Sequence, residues 1–299
     1  MENSVMKRKK VNKLEEKGKI TPLAIVTCAL LVFYVVAMVI LLIWAFSTSF
    51  KDQTEFRLNP VYFPEKPVWN YTTVFNMYKV PIEQGEVGMA QMFVNSFLYA
   101  IGCAVTSAFT PFLAAYLCAR YRYYFSKVIY AVVIVTMTLP IVGSLPSEIL
   151  IARTLGFYDN IWGLWIMKAN FLGMYFLVFH GLLTQLPAAY SEAAKLDGAG
   201  NMTILWRIMM PLSRNTIFTV MLINFIGFWN DYSIPLIYLP SYPTIAIGME
   251  YMGRTNINSM STVPMRMTAA MLMLIPILTL FLIFHRRLIG NLTVGGLKG

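Results

Sequence analysis

Two groups of residues in this sequence could do chemistry. Glu192, Lys195, Asp197 and Arg207 crowd into SEAAKLDGAGNMTILWRIMMPLS, residues 191–213, in a chain that is only 13% charged. Lys168 and Asp231 stand instead inside long apolar stretches. The first group suits contact with another protein: small residues at the tip let a second surface approach, and Glu192 and Asp197 offer polar contacts at the rim. The second suits a polar layer in a low-dielectric setting, where an ionisable side chain is a functional candidate by default. No catalytic residue is expected, because the sequence holds no phosphate-binding loop, dinucleotide fingerprint or nucleophile elbow. Cys28, Cys103 and Cys118 fall in apolar runs without disulfide or metal spacing and read as packing residues; no metal site is expected. His180 and His285 stand alone near the ends of apolar runs.

The elements that must position these residues are apolar. The 299-residue chain is 58% hydrophobic, with a mean hydropathy of +0.61. Its charge-free runs are 20–50, 87–119, 128–147, 169–191, 215–230 and 267–285. Most match the roughly 20 residues a helix needs to cross the hydrocarbon. A soluble bundle would show polar faces at the helical period, and these runs show none. The fold expected is therefore an all-α polytopic membrane protein with about six transmembrane helices, near 22–46, 91–119, 127–148, 161–183, 214–238 and 266–285. A basic head precedes the first run, and Ala45-Phe46-Ser47 loosely resembles a cleavage site. The apolar core from Pro22 to Phe46 is nevertheless longer than the roughly 7–15 residues of a secretory signal, so it reads as a retained span.

Charge placement orients these spans. With the N-terminus inside, the inner segments hold 16 of the 24 basic residues, against seven outside and Lys168 within a span. Such asymmetry over short loops sets topology. It makes both termini and 184–213 cytoplasmic and gives the +10 net charge a membrane rather than a nucleic-acid meaning. The domains read as a basic cytoplasmic tail at 1–20, apt to lie against anionic lipid headgroups, a transmembrane domain at 21–287 and a cytoplasmic tail at 288–299. The outer segment 47–90 is long enough to fold over the outer mouth. Gly102 and Pro111 in the second span, Pro140, Gly143 and Pro146 in the third, Pro235 in the fifth and Pro276 in the sixth are helix breakers. They fit either kinks around a pathway or ordinary packing kinks.

Within 184–213, Ala188–Asp197 reads as a short helix of good helix formers, with Pro187 suited to its first turn. Gly198 would end it in the left-handed conformation. Asn201 would cap a second helix, whose Ile204, Leu205, Ile208 and Met209 share one face. Pro211 would mark the exit into the fifth span. The whole is either a docking element for a cytoplasmic protein or a re-entrant loop folded on its own bundle.

The stretch EAAKLDGAGNMTILWRIMMPLS closely resembles the EAA motif of ABC-importer permeases. Glu192-Ala193-Ala194, Gly198 and Ile208-Met209-Met210-Pro211 carry the likeness, with Met210 for the usual Leu and Asn215 where many sugar-type members place Pro. From about residue 22 to 299 the chain is similar to the second permease of maltose-type, carbohydrate uptake family 1 importers. The similar pieces are NSFLYAIGCAVTSAFTPFLAAYLCARYRY, LGFYDNIWGL, FIGFWNDYSIPLIYL and LTVGGLKG. The resemblance implies a type I importer permease fold in a bacterial cytoplasmic membrane. It makes the loop a coupling helix, with Glu192, Ala193, Ala194, Asp197, Gly198, Arg207 and Pro211 meeting an ATPase. Two cytoplasmic ABC ATPases, which bind the ATP and Mg²⁺, a second homologous permease and an extracytoplasmic solute-binding protein are implied as partners. The chain itself needs no cofactor and is no enzyme. By the same likeness LTVGGLKG reaches between the ATPases.

Counting along spans four and five puts Lys168 and Asp231 at similar depth in the outer half, Asp231 about 25 Å above Arg214 at 1.5 Å per residue. With Asn170, Trp229, Asn230 and Tyr232 they either line a sugar pathway, since aromatic faces and amides suit a sugar, or tie helices together. Lys168 and Asp231 either pair or leave Lys168 to reach the outer interface. Three functions compete. An ATP-driven importer, for a sugar or another solute, accounts for the EAA stretch. An ion-coupled secondary transporter should show inverted repeats and midplane carboxylates; no repeat is seen, and Asp231 is the one acid set deep in a span. A non-transporting scaffold leaves the EAA stretch unexplained.

Overall fold

Uniformly apolar sequence makes the first element, Pro22–Thr48 (α1), a helix whose only buried residues are Ser47 and Thr48 at its end. The computed structural model describes residues 22–121, 124–139, 143–254 and 262–292, with side chains to Phe284 and that of Arg254 excepted. The 1–20 tail and almost all of the LTVGGLKG ending lie outside the described residues. After α1 come Gln53–Leu58 (α2), Asn70–Met77 (α3), the strands Lys79–Ile82 (β1) and Gly85–Gly88 (β2), and Met89–Arg120 (α4). Tyr124–Thr138 (α5), Leu145–Thr154 (α6), Ile161–Met167 (α7), Met174–Gln185 (α8), Ala189–Leu196 (α9) and Asn201–Ile204 (α10) follow. A π-turn over Leu205–Met209 leads into Met210–Asn230 (α11), then Ser233–Tyr238 (α12), Ile245–Arg254 (α13) and Val263–Leu292 (α14).

Among the described residues three helices are long and apolar enough to cross a membrane: α1, α4 and the Val263–Phe284 part of α14. The other three expected spans are not single helices. The one expected at 127–148 stops at Thr138, and a new helix starts at Leu145. Gly143, at φ +83°, takes a left-handed turn between them, and Pro146 sits in the first turn of α6; Pro140 lies outside the described residues. The span expected at 161–183 breaks over 168–173, where Gly173 adopts φ 150° and ψ −172°, a region essentially restricted to glycine. The span expected at 214–238 breaks at Asp231 and Tyr232. Gly102, Pro111 and Pro276, by contrast, lie within the continuous helices α4 and α14.

Gly102 has a packing role instead. A Cβ there would lie 1.8 Å from the Trp165 indole, whose Nε1 donates to the Leu98 carbonyl at 3.1 Å. Gly102→Ala should therefore evict Trp165 and destabilise the protein by about 1–3 kcal/mol, as overpacking does. A drop in the thermal unfolding temperature of the detergent-solubilised protein checks this, and an unchanged temperature would show that the indole finds another seat.

The 47–90 segment is folded rather than loose. Asp52 caps α2, accepting from the Thr54 hydroxyl at 2.6 Å and its amide at 3.3 Å, and the Thr54 hydroxyl holds the Asp52 carboxyl below its usual range. Asn70 donates to the carbonyls of Ser49 and Lys51, and Thr268 on α14 donates to Ser49. The Tyr78 hydroxyl donates to the Gly248 carbonyl on α13 at 2.6 Å, and burial pushes it up to about 12. These bonds seal the segment and its β1–β2 hairpin onto α13 and α14.

Helix α4 runs through the whole bundle and packs most extensively on α11 and α8. At its C-terminal end Phe112 and Tyr116 share an apolar cluster with Phe176, Phe179, Leu183, Ile204 and Met209. Higher up, Tyr99 and Cys103 share another with Ile161, Leu164, Tyr238 and Leu239. The breaks at 168–173 and 231–232 fall between these two clusters.

Candidate functional site: a docking segment and a layer of helix breaks

Helix α9 buries only Ala194. Glu192, Ala193, Lys195, Asp197 and Gly198 are exposed, and Leu196 is 90% exposed. Gly198 takes φ +81°. Its N–H reaches the Lys195 carbonyl at 3.0 Å, and the Ala199 N–H reaches the Ala194 carbonyl at 2.8 Å. This pair of bonds is the Schellman closure that a left-handed residue after a helix permits. The expected capping role of Asn201 does not hold: Asn201 is already helical, and Gly200 occupies the cap position without any side-chain bond. The extended backbone of Gly200 brings the chain straight into the turn, so no side chain is needed there.

Ile204, Leu205 and Met209 are buried, and Ile208 packs partly against the same cluster, so the apolar face of this second helix lies on the bundle. Pro211 does not mark an exit, because helix continues from Asn201 to Asn230. Pro211 lacks the N–H that would meet the Arg207 carbonyl, and its ring needs room there. The wider π-turn supplies that room, with Met210 N–H reaching back to the Leu205 carbonyl. Arg207 is exposed on this turn. Arg120, at the end of α4, donates to the Leu186 carbonyl at 3.0 Å, tying the start of the segment to the central helix. The segment is thus a firmly seated base with a small, charged, exposed tip.

The breaks hold the second group. Asp231 follows α11, and its Oδ1 accepts from the amides of Ser233 at 2.9 Å and Ile234 at 3.3 Å, starting α12. Its Oδ2 accepts from the hydroxyl of fully buried Tyr99 at 3.2 Å. Lys168 ends α7, and its carbonyl accepts from Ser107 at 3.1 Å. Tyr99 and Ser107 both belong to α4, so the two breaks flank one stretch of that helix. They form no ion pair; among the described residues the salt bridge is Lys79–Glu86 in the exposed hairpin, at 3.3 Å. The Asp231 carboxylate is already engaged by three donors.

The remaining candidates separate. Asn170 is exposed and uses Oδ1 to accept from the Leu172 amide at 2.8 Å. Asn230 is exposed, with Nδ2 donating to Ile226, and Tyr232 is exposed. Trp229 is a core residue: 1% exposed, stacked with Phe225 and close to Phe97, with Nε1 donating to Met273 at 3.1 Å. Sequence reasoning missed Tyr99 and Ser107. They share the four-residue spacing of one helix face with Cys103, but nothing in an apolar run marks that face as special. Among the described residues no three His, Cys, Asp or Glu side chains group closely enough to hold a metal ion.

Comparison with known proteins places this geometry. Residues 111–293 match the family described as binding-protein-dependent transport system inner membrane component. The diacetylchitobiose uptake system permease protein NgcG of Streptomyces coelicolor is 22% identical, over 91% of this chain and 88% of its own. The sulfoquinovosyl glycerol transport system permease protein SmoH of Agrobacterium fabrum is 26% identical, over 86% and 88%. A chain of a bacterial ABC transporter involved in the import of the acidic polysaccharide alginate shares the fold, with a TM-score of 0.73 and 21% identity over 88% of this chain and 95% of that one. With more than half its length matched, this chain belongs to the family of inner-membrane components of binding-protein-dependent transport systems: it is a permease subunit.

Proposed function

We propose that this permease forms half of the translocation pathway of an ABC importer for a sugar or oligosaccharide, delivered by an extracytoplasmic binding protein and driven through residues 184–213. The observation that carries the coupling role is the exposed Glu192–Gly198 tip on a base packed against α4, α8 and α11. Because helix runs unbroken from Asn201 to Asn230, a push on the tip displaces α11 as a lever whose far end is Asp231. A protein partner at the tip is an ATPase in this reading. Two such ATPases bind ATP and Mg²⁺, and this chain needs no cofactor of its own. The carbohydrate assignment rests on relatives that serve diacetylchitobiose and sulfoquinovosyl glycerol.

Six crossings follow if the three broken helix pairs, α5–α6, α7–α8 and α11–α12, each traverse the bilayer beside α1, α4 and α14. Six enclose too little space for a wide path, so a second permease completes it. In the bacterial cytoplasmic membrane both termini and 184–213 then face the cytoplasm, and 47–90 faces outward. Cysteine placed by Ser191→Cys in a Cys-free background should resist a membrane-impermeant maleimide on intact cells, whereas Thr72→Cys should react. The reverse pattern would sink the topology. Stimulation of the intact complex's ATPase by one carbohydrate, and by no other solute class, tests the cargo.

A further inference from the structure

Above the layer of breaks lies a cleft of about 180 Å³, walled by Gln91, Asn95, Asn160, Trp162, Trp165 and Tyr242. We propose that it is an outer subsite on this subunit for one pyranose unit of the cargo, an inference that rests on the carbohydrate reading. Its chemistry is that of a sugar site: flat aromatic faces for C–H surfaces and amides for hydroxyls. Trp162 and Trp165 meet edge to face with centroids 4.4 Å apart, and Trp162 is 63% exposed. The Asn160 oxygen is taken by the Trp162 amide at 3.0 Å, leaving its NH₂ to donate. Gln91 uses its NH₂ on Asn95 at 3.0 Å, leaving its oxygen to accept.

The walls are fixed before any ligand arrives, which limits the ordering cost of binding. Asn95 donates to the Pro243 carbonyl at 3.0 Å, and Ser96 accepts from the Ile245 amide at 2.8 Å. From the other side, Asp159 holds φ +55°, a conformation rare for a non-glycine residue. Its amide donates to Tyr238 at 2.7 Å and its carboxylate accepts from Ser241 at 2.9 Å. The cleft also leads to the break layer. Trp165 lines it and lies on Gly102, next in sequence to Cys103. Gln91, Asn95, Tyr99, Cys103 and Ser107 recur every four residues along α4, a stripe that turns slowly round the helix as it runs about 24 Å from cleft to layer.

The test uses the whole transporter in nanodiscs, with Cys28, Cys103 and Cys118 replaced by serine and Leu98→Cys, an exposed position that also lines the cleft, as the reporter. The probe is whichever unmodified saccharide the wild-type transporter takes up. That saccharide should shield the reporter from an impermeant maleimide and leave a control Met77→Cys, on the exposed end of α3, unshielded. Adding Trp162→Ala should raise the half-protecting concentration at least about tenfold, equivalent to about 1.4 kcal/mol, with assembly unchanged, and Trp162→Tyr should restore it. Equal labelling with and without a transported sugar would overturn the subsite and leave the carbohydrate reading standing. So would a Trp162→Ala effect on assembly alone, the signature of an aromatic anchored at the bilayer interface. If the wild type takes up no saccharide, the carbohydrate reading fails and the subsite with it.

Discussion

Gly198→Val should leave a protein that inserts into the membrane and transports almost nothing. A non-glycine residue in the left-handed conformation costs about 1–2 kcal/mol, and Gly198 stands at φ +81°. Apart from its two chain neighbours, no heavy atom of the described residues lies within 4 Å of where a Cβ would sit, so there is open space for the side chain. The damage falls on the turn and on whatever docks against it. Losing about 2.7 kcal/mol of docking lowers association roughly a hundredfold, and sugar-stimulated ATP hydrolysis should fall to match. Gly198→Asn separates the causes, because asparagine tolerates the turn but thickens the tip. If Gly198→Asn is as defective as valine, bulk at the interface is decisive; if it is near wild type, the backbone is. Near-normal uptake by Gly198→Val would remove the docking assignment.

Asp231→Ala should be the most destabilising single change in the layer. It strands the hydroxyl of Tyr99, which has no exposed surface, and removes the acceptor for the Ser233 and Ile234 amides. A buried donor left without its partner costs about 1–3 kcal/mol, and loss of a helix cap typically about 1 kcal/mol. The expected total is about 2–4 kcal/mol, read as a lower unfolding temperature and weaker assembly. Asp231→Asn keeps an oxygen for the two amides and should lose less than half as much. Tyr99→Phe added to Asp231→Ala should recover part of the loss, since no hydroxyl is then stranded. Lys168→Met combined with either should be additive, because Lys168 and Asp231 form no ion pair. A coupling energy above about 1 kcal/mol in that double-mutant cycle would contradict the arrangement.

Membrane character, the continuous α1, α4 and α14, the two-part 191–213 segment and the left-handed Gly198 were all legible in the residues themselves. Long apolar runs, good helix formers and a glycine at a helix end act over a few neighbouring positions, so local physics settles them. Gly143 and Pro146 marked the break in the third span, but the breaks at 168–173 and 231–232, and the side-chain partners, were not legible. Hydropathy is blind to backbone hydrogen bonding, so LWIMKANFLGMYFL reads as one run although its helix stops at Met167 and restarts at Met174. Gly102 looks like a helix breaker until the Trp165 indole, 63 positions away, is found lying on it. Trp229 looks like a pathway aromatic until the helices around it close and bury it.

What the sequence by itself determined is the solvent this protein lives in and the helix–glycine turn–helix of 191–213, because apolar length and local turn chemistry carry their meaning along the chain. Only the tertiary structure decided that Asp231 answers to Tyr99 rather than Lys168, that Pro211 is absorbed in a π-turn, and that Trp165, Asn160 and Gln91 wall one cleft. The first and last of those outcomes depend on side chains far apart in sequence meeting beside α4, and the relative placement of packed helices sets such meetings.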